Sequence, residues 1–349
     1  MTDADISLSK VRENSQAKLK GICTANKVCD GAAQRLCQGQ KYGAPIGFGG
    51  AGKGLAFIAN VEALDRIRLK TRLVKAHAEP DMAANLFGQT TSVPIMASSL
   101  SGMKASMGGS MSELDFGRAV LEGCRIAGTI GLIGNTADDG QELAGIEAVR
   151  TVGAGIPIFK PQSNERLIQL FDMAMEAGAI AVGVDIDGAG STNWDRANKP
   201  VYRKSAEDLN ELVNSVKLPF ILKGIMSVED ARDACDAGVR FMDVSNHGGR
   251  VLDSTRGVAE VLPEITAAVG DKVTLTAGGG VRTGFDALKM LALGARAVLV
   301  GRDIARAAIG GGPQGVKLHL EYLMSDLRRA MLMTGCDSLA EIGPHVLDA

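Results

Sequence analysis

The feature of this sequence that most constrains its fold is a regular alternation of short apolar runs and segments of helical periodicity. The eight runs with strand character cover residues 93–97, 129–133, 156–160, 180–185, 218–223, 240–245, 273–277 and 297–300. Each run is followed by a segment in which apolar residues recur with the spacing of an amphipathic helix. Eight units of about 25 residues favour a closed (β/α)8 barrel over a doubly wound sheet, which usually has about five or six strands.

No linker interrupts this alternation, so the sequence predicts one α/β domain, a (β/α)8 TIM barrel over residues 76–349. Residues 1–75 are predicted to form an N-terminal extension, with a surface helix over residues 5–20 followed by Cys- and Gly-rich loops. Cys23, Cys29 and Cys37 lie in these loops, and their spacing matches neither the zinc nor the common iron–sulfur patterns. We therefore expect reduced thiols and no metal site.

Composition excludes several classes of function. A formal net charge of -2 and an aromatic content of 4% argue against a nucleic-acid partner, which would need a basic surface and stacking platforms. The chain has no run of about 18 apolar residues and no basic segment followed by an apolar one at the N-terminus. We expect a cytoplasmic protein that does not associate with membranes.

The sixth run ends in Ser245-Asn246-His247-Gly248-Gly249-Arg250, the motif with the clearest chemistry. In a (β/α)8 barrel the active site lies at the carboxyl ends of the strands. A histidine can accept a proton near neutral pH, and an arginine can hold a carboxylate through two parallel hydrogen bonds. The motif therefore indicates a base and an anion clamp. The alternative is a glycine-rich turn whose histidine and arginine only cap a helix.

Other polar residues end neighbouring strands. Lys223 closes the fifth run, Asp185 and Asp187 follow the fourth, and Lys160 and Gln162 follow the third. A charged residue at the end of a buried strand needs either solvent or a partner of opposite charge. These side chains are expected to lie around the same barrel mouth as His247.

The last two runs end in Gly278-Gly279-Gly280-Val281-Arg282 and Gly301-Arg302. Barrels commonly bind a phosphate at this position, using backbone amides, a helix N-terminus and basic side chains. Solvated surface arginines are the simpler interpretation. A phosphate site beside a base predicts a phosphorylated cofactor that lies across the barrel mouth.

These residues resemble the FMN-dependent α-hydroxy acid oxidases and dehydrogenases, such as glycolate oxidase, lactate oxidase and mandelate dehydrogenase. The resemblance runs from about Gly49 to Gly335 and is most specific over residues 245–253, Ser-Asn-His-Gly-Gly-Arg-Val-Leu-Asp. It implies that FMN is the cofactor and that a lactate- or glycolate-like 2-hydroxy acid is oxidised to the 2-oxo acid.

The resemblance also implies roles for individual residues. His247 would be the active-site base, Asp187 would orient it, Arg250 would hold the substrate carboxylate, and Lys223 would favour negative charge on the flavin. The residues implied to contact FMN are Ser98, Ser99, Lys160, Lys223, Ser245, Gly279, Gly280, Arg282, Gly301 and Arg302.

Several positions depart from the family pattern. The family's N-terminal tyrosine is replaced within Ile46-Gly47-Phe48, and a second tyrosine corresponds to Phe159 or Pro161. Lys160 or Gln162 would take the place of a flavin-contacting glutamine. A family threonine is Asp185 here, and only Arg196 is available as a further substrate arginine. The cofactor residues are thus retained while the substrate residues differ.

Partners and alternatives follow from the same resemblance. The electron acceptor would be O2, a quinone or a redox protein, and the chain would form a homo-oligomer, a tetramer or octamer. One alternative is non-redox chemistry of the type 2 isopentenyl diphosphate isomerase kind. Another is a flavin-binding protein that has lost catalysis.

Overall fold

Eight parallel strands close into a barrel in the computed structural model, which describes residues 6–19 and 50–348. The strands are β1 (Ile95–Leu100), β2 (Gly131–Gly134), β3 (Ile156–Phe159), β4 (Val182–Asp185), β5 (Phe220–Ile225), β6 (Phe241–Val244), β7 (Thr274–Ala277) and β8 (Ala297–Val300). Each strand pairs in parallel with the next, and β8 pairs with β1 to complete the circle. Each predicted apolar run overlaps one strand, so the (β/α)8 barrel is confirmed.

The helices surround this barrel. Those of the described residues are α1 (Leu8–Lys18), α2 (Leu55–Arg66), α3 (Met103–Met107), α4 (Glu113–Ile126), α5 (Ala144–Val152), α6 (Asn164–Glu176), α7 (Thr192–Arg196), α8 (Ala206–Ser215), α9 (Val228–Asp236), α10 (Val258–Val269), α11 (Gly284–Ala292) and α12 (Arg302–Thr334). The last helix, α12, bends where Gly311 and Gly312 leave helical geometry just before Pro313.

Side chains divide between two apolar layers according to the alternation of each strand. Met96, Leu132, Ile158 and Leu299 belong to the cluster inside the barrel. Neighbouring positions on the strands face the helices instead. Phe159 is one of them, and the centre of its ring lies 6.0 Å from that of Phe171 on α6. The interior is therefore a packed core, which leaves the strand ends as the place for a site.

A short antiparallel hairpin covers part of this interior cluster. It pairs Ala84–Leu86 with Gln89–Thr91, and its turn residue Phe87 is buried against Phe241 with ring centroids 5.0 Å apart. Because Phe241 is the first residue of β6, the hairpin lies at the amino ends of the strands. The carboxyl ends remain open on the opposite face.

The first helix packs against the last one. A Cβ at Gly310 would lie 2.1 Å from the backbone oxygen of Val11, so a residue without a side chain is required at this contact. The predicted helix over residues 5–20 is confirmed as α1, whereas α2 was not predicted. The domain boundary at residue 75 stays a prediction.

The expected loops at residues 20–49, with Cys23, Cys29 and Cys37, lie outside the described residues. Cys124, Cys235 and Cys336 are buried and unpaired. Over residues 6–19 and 50–348, no helix has both the length and the apolar character needed to cross a bilayer.

Candidate active site

The loop after β6 turns sharply through three residues with positive φ: His247 at 56°, Gly248 at 61° and Gly249 at 77°. A Cβ at Gly249 would lie 2.4 Å from the backbone nitrogen of Phe57, and one at Gly248 would lie 2.6 Å from Nη1 of Arg302. Close packing against backbone atoms therefore requires Gly249, the positive φ of Gly248 favours glycine there, and together they allow the loop to present His247 at the barrel mouth.

Helix α2 holds this loop from behind. The Asn60 and Asn246 side chains exchange two hydrogen bonds, with Nδ2 to Oδ1 distances of 2.8 and 3.1 Å. The Asp253 carboxylate, from the end of the motif, accepts hydrogen bonds from the backbone of Lys53 at 2.7 Å and of Ala56 at 3.1 Å. The motif thus caps α2 and is in turn fixed by it.

Two carboxylates face one nitrogen of the histidine. Nδ1 of His247 lies 2.9 Å from Oδ1 of Asp187 and 3.2 Å from Oδ2 of Asp185. Asp187 stands in the turn Ile186–Gly190, directly after β4. An Nδ1–H that donates to these carboxylates leaves Nε2 as the proton-accepting nitrogen of the neutral ring. This arrangement is suited to general-base chemistry.

Lys223, almost fully buried, projects from β5 beneath the histidine. Its Nζ lies 3.3 Å from Oδ1 of Asp185, donates to Oγ of Ser245 at 3.1 Å, and lies 3.8 Å from Oδ2 of Asp243. Burial by itself lowers the pKa of Lys223, but the surrounding carboxylates of Asp185, Asp187 and Asp243 outweigh it and raise that pKa. The ammonium is therefore a fixed positive charge.

The three carboxylates differ in their ionisation. Burial disfavours the charged form of Asp185, yet His247, Lys160 and Lys223 hold its pKa well below the usual value. Burial and the nearby charge of Asp185 raise the pKa of Asp187. Burial also raises the pKa of Asp243 to about 7, although Lys223 and a hydrogen bond from Thr276 oppose it.

A cleft with about 1470 Å³ of empty space, part of it open to solvent, covers the carboxyl ends of the strands. The predicted site residues that line it are Ser98, Ser99, Lys160, Lys223, Ser245, His247, Arg250, Gly279, Gly280, Arg282, Gly301 and Arg302. Asp187 does not line the cleft but supports His247 from behind. The structure therefore brings together the residues for which the resemblance implies a catalytic or FMN-binding role.

One end of the cleft has the chemistry of a phosphate site. Arg302 begins α12, whose N-cap Gly301 offers no side chain to cap the first turn. The Arg302 guanidinium lies 4.4 Å from the ring centre of Phe57 and donates to the backbone oxygen of Gly248 at 2.7 Å. Arg282 lies over the same ring at 5.8 Å. A helix N-terminus with two arginines fits a phosphate group.

The remaining cleft residues fit a flavin as well. The Ser99 hydroxyl is buried without a hydrogen-bond partner, as expected of a group that meets a polar ring edge. A Cβ at Gly301 would find no atom closer than 3.9 Å, so this position opens into the cleft. With the phosphate site, these features fit FMN. Ser98, Ser99, Lys160, Lys223 and Ser245 would face its ring.

The cleft wall near Arg250 was not predicted. Nη2 of Arg250 donates to Oγ of Ser106 on α3 at 3.2 Å, and Nδ2 of Asn193 on α7 donates to the same oxygen at 3.1 Å. Trp194 and Met107 are buried beside them and line the cleft. Both helices are five residues long, too short to show a period in the sequence.

Three residues that the sequence suggested as replacements for family residues do not reach the cleft. Phe159 faces the helix layer, and Arg196 is exposed outside the residues that line the cleft. Gln162 also lies outside this lining, whereas Lys160 reaches it. The segment Ile46-Gly47-Phe48 lies outside the described residues.

Comparisons with known proteins agree with this geometry. The sequence profile of the family described as FMN-dependent dehydrogenase matches residues 46–205 and 200–349. The chain belongs to this family. It is therefore an FMN-dependent oxidoreductase that acts on a 2-hydroxy acid, and this membership favours the oxidoreductase over the isomerase.

Individual relatives cover nearly the whole chain. 2-Hydroxyacid oxidase 2 of Rattus norvegicus is 31% identical over 333 residues, which cover 86% of this chain and 91% of that protein. 4-Hydroxymandelate oxidase of Amycolatopsis orientalis is 32% identical over 331 residues, covering 83% and 89% of the two chains. A crystal structure of mandelate oxidase with (S)-2-phenylpropionate superposes with a TM-score of 0.76 at 28% identity, covering 98% of each chain.

Proposed function

We propose that His247 takes a proton from a short 2-hydroxy acid of the lactate or glycolate kind, while Arg250 holds the substrate carboxylate. FMN, when bound, supplies the two-electron acceptor that completes oxidation to the 2-oxo acid. The observation that carries this proposal is the contact of 2.9 Å between Nδ1 of His247 and Asp187. It leaves Nε2 to face a cleft that also contains Arg250.

The base is supported by its surroundings. The neutral ring donates its Nδ1 proton to a carboxylate, and the same carboxylate stabilises the imidazolium once Nε2 has accepted a proton. Arg250 keeps its charge at all relevant pH values and can bind a carboxylate through two parallel hydrogen bonds. These two groups orient an acid whose hydroxyl lies next to its carboxylate.

Lys223 and the arginines would hold the cofactor. The buried ammonium of Lys223 places positive charge at the floor of the cleft, where it would stabilise negative charge that develops during the reaction. Arg282 and Arg302, with the backbone of Gly279, Gly280 and Gly301, would bind the phosphate group.

The cleft wall near Arg250 is where the size of the accepted acid would be set. Trp194 and Met107 line the cleft and adjoin in sequence Asn193 and Ser106, the two residues of the network around Arg250. The relatives include enzymes named for hydroxymandelate, a larger acid. A panel of acids of increasing size would show where this chain differs from them.

The decisive experiment is anaerobic reduction of the FMN-loaded enzyme by a panel of 2-hydroxy acids, followed through the visible absorbance of the flavin. His247→Asn should slow this reduction by roughly 10²–10⁴-fold, the usual contribution of a general base. His345→Asn, an exposed histidine near the C-terminus, is the matched control and should leave the rate unchanged. Failure of every acid to reduce the flavin would refute the proposal.

We further propose that the reduced enzyme passes its electrons to O2, a quinone or a redox protein, and that it is a cytoplasmic homo-oligomer, a tetramer or octamer. Its resemblance to the hydroxy acid oxidases supports these assignments. Reoxidation by O2, a soluble quinone and a one-electron dye, compared in stopped flow, would identify the acceptor. Light scattering on the purified enzyme would give the number of subunits.

A further inference from the structure

Two charged residues beside the base, Asp185 and Lys160, have no role so far in the proton transfer described above. Oδ2 of Asp185 accepts a hydrogen bond from Nζ of Lys160 at 2.5 Å and lies 3.2 Å from Nδ1 of His247. Its other oxygen, Oδ1, accepts from Lys223 at 3.3 Å. One buried carboxylate on β4 thus connects the base to two lysines on the neighbouring strand ends.

We propose that Asp185 and Lys160 are positioning residues that act as a pair: Asp185 gives His247 a second carboxylate, and Lys160 cancels the charge that this adds. The inference rests on the proposed role of His247 as the base. It assigns to these two residues a function in setting the charge around that base.

The charges that face His247 come from several elements. Asp185 and Asp187 approach from β4 and the turn after it, and Lys223 approaches from β5 with Asp243 behind it. Lys160 reaches Asp185 from the end of β3. Arg250 lies in the loop after β6 that carries His247. Arg302 begins α12 and donates a hydrogen bond to the backbone oxygen of Gly248.

Among these groups the nearest charges balance. The carboxylates of Asp185 and Asp187 oppose the ammonium groups of Lys160 and Lys223, so the neutral imidazole sits in a set with no net charge. The side chains of Asp185 and Lys223 are each 3% exposed, and that of Lys160 is 13% exposed. At such burial an unbalanced charge acts strongly on its neighbours, because little water screens it.

Removal of Lys160 and removal of Asp185 should therefore change the protonation of His247 in opposite directions. Without Lys160, the carboxylate of Asp185 is less compensated and stabilises the imidazolium, so the base becomes protonated at higher pH. Without Asp185, the ammonium of Lys160 is uncompensated and disfavours the imidazolium. Removal of both restores the balance that Asp187 and Lys223 provide together.

The experiment is a double-mutant cycle on the FMN-loaded enzyme, with kcat/KM for the best 2-hydroxy acid measured as a function of pH. Lys160→Gln should move the midpoint of the acidic limb up by roughly one pH unit, and Asp185→Asn should move it down by a similar amount. The double variant should return to the wild-type midpoint, and Lys160→Arg should keep it. Lys317→Gln, which breaks the surface ion pair with Glu321, is the matched control and should leave the midpoint unchanged.

The same proteins should be titrated by NMR of the histidine ring protons, with His247→Asn used to assign the signal. The His247 titration midpoint should shift in the same directions, which tests the charge pair even if no acid is turned over. Failure of turnover in the wild type would then refute the proposed function alone. Single variants that shift the midpoint in the same direction, or a double variant whose midpoint stays as far from the wild-type value as that of a single variant, would overturn the charge pair. If Asp185→Asn does not fold, the two Lys160 variants test the proposal alone. The midpoint should move up in Lys160→Gln and stay at the wild-type value in Lys160→Arg.

Discussion

Asp243→Asn should change the pH dependence of stability in a predictable direction. The side chain of Asp243 is 0% exposed, and its Oδ2 has no hydrogen-bond partner, while Thr276 donates to Oδ1 at 3.0 Å. Burial raises its pKa from 3.8 to about 7. Because the folded protein binds this proton more tightly than the unfolded chain does, the group destabilises the fold as pH rises from about 4 to about 7.

The magnitude follows from that difference. A shift of about three pKa units corresponds to about 4 kcal/mol at pH values above both pKa values, at about 1.4 kcal/mol per unit. Between pH 5 and pH 8 the wild type should lose about 2.5 kcal/mol through this group. Asparagine is nearly isosteric with aspartate, can accept the same hydrogen bond from Thr276, and does not ionise. The variant should therefore not lose this stability between pH 5 and pH 8.

The assay is guanidinium denaturation of both proteins at pH 5 and pH 8, at one fixed FMN concentration because bound cofactor adds to stability. The stability of the variant relative to wild type should increase by about 2.5 kcal/mol between the two pH values. Titrating groups that do not interact with Asp243 cancel in this difference, and Asp271→Asn on the surface is the control. If the difference in the free energy of unfolding between variant and wild type were the same at pH 5 and pH 8, the ionisation argument would be refuted.

Three further substitutions test the cleft and the loop after β6 that carries His247. Gly249→Ala should destabilise the protein by about 2–5 kcal/mol, because the new Cβ would lie 2.4 Å from the nitrogen of Phe57 at a φ of 77°. Gly153→Ala, with a φ of 78° and no atom within 4 Å, isolates the backbone cost, and equal losses of thermal stability would contradict the packing argument. Arg302→Met should weaken FMN binding by roughly 10–100-fold through the lost phosphate contact, as fluorescence titration of the apoprotein would measure. Arg250→Met should lower kcat/KM for 2-hydroxy acids by roughly 10–100-fold with FMN still bound, and an unchanged value would remove Arg250 from the substrate site.

Much of the fold could be predicted because buried parallel strands read as apolar runs and their helices keep a regular period. Helix α2 was missed for a physical reason. Its buried face includes Asn60, a polar residue whose hydrogen-bond partners, the Asn246 side chain and the backbone N–H of Val258, lie almost two hundred positions later. A core position occupied by an amide interrupts the apolar pattern on which the prediction depends.

The candidate site also has residues that could be predicted from the sequence and residues that could not. His247, Lys223 and Arg302 could be selected because barrel topology places every strand end at one mouth. The contact between Lys160 and Asp185 could not, since it depends on how far two side chains reach across neighbouring strands. Ser106 and Asn193 were missed because a five-residue helix leaves no periodic signal.

Asp187 stands behind the imidazole, away from the cleft, while the wall near Arg250 is built by α3 and α7. In the proposed mechanism, residues at the strand ends of the barrel thus handle the proton, and two short connecting segments provide the cleft wall near Arg250. Substitutions that accumulate in those segments can change the accepted acid without disturbing the base. The proposed function thus places substrate preference and proton transfer on different elements, so that the two can evolve separately in this chain.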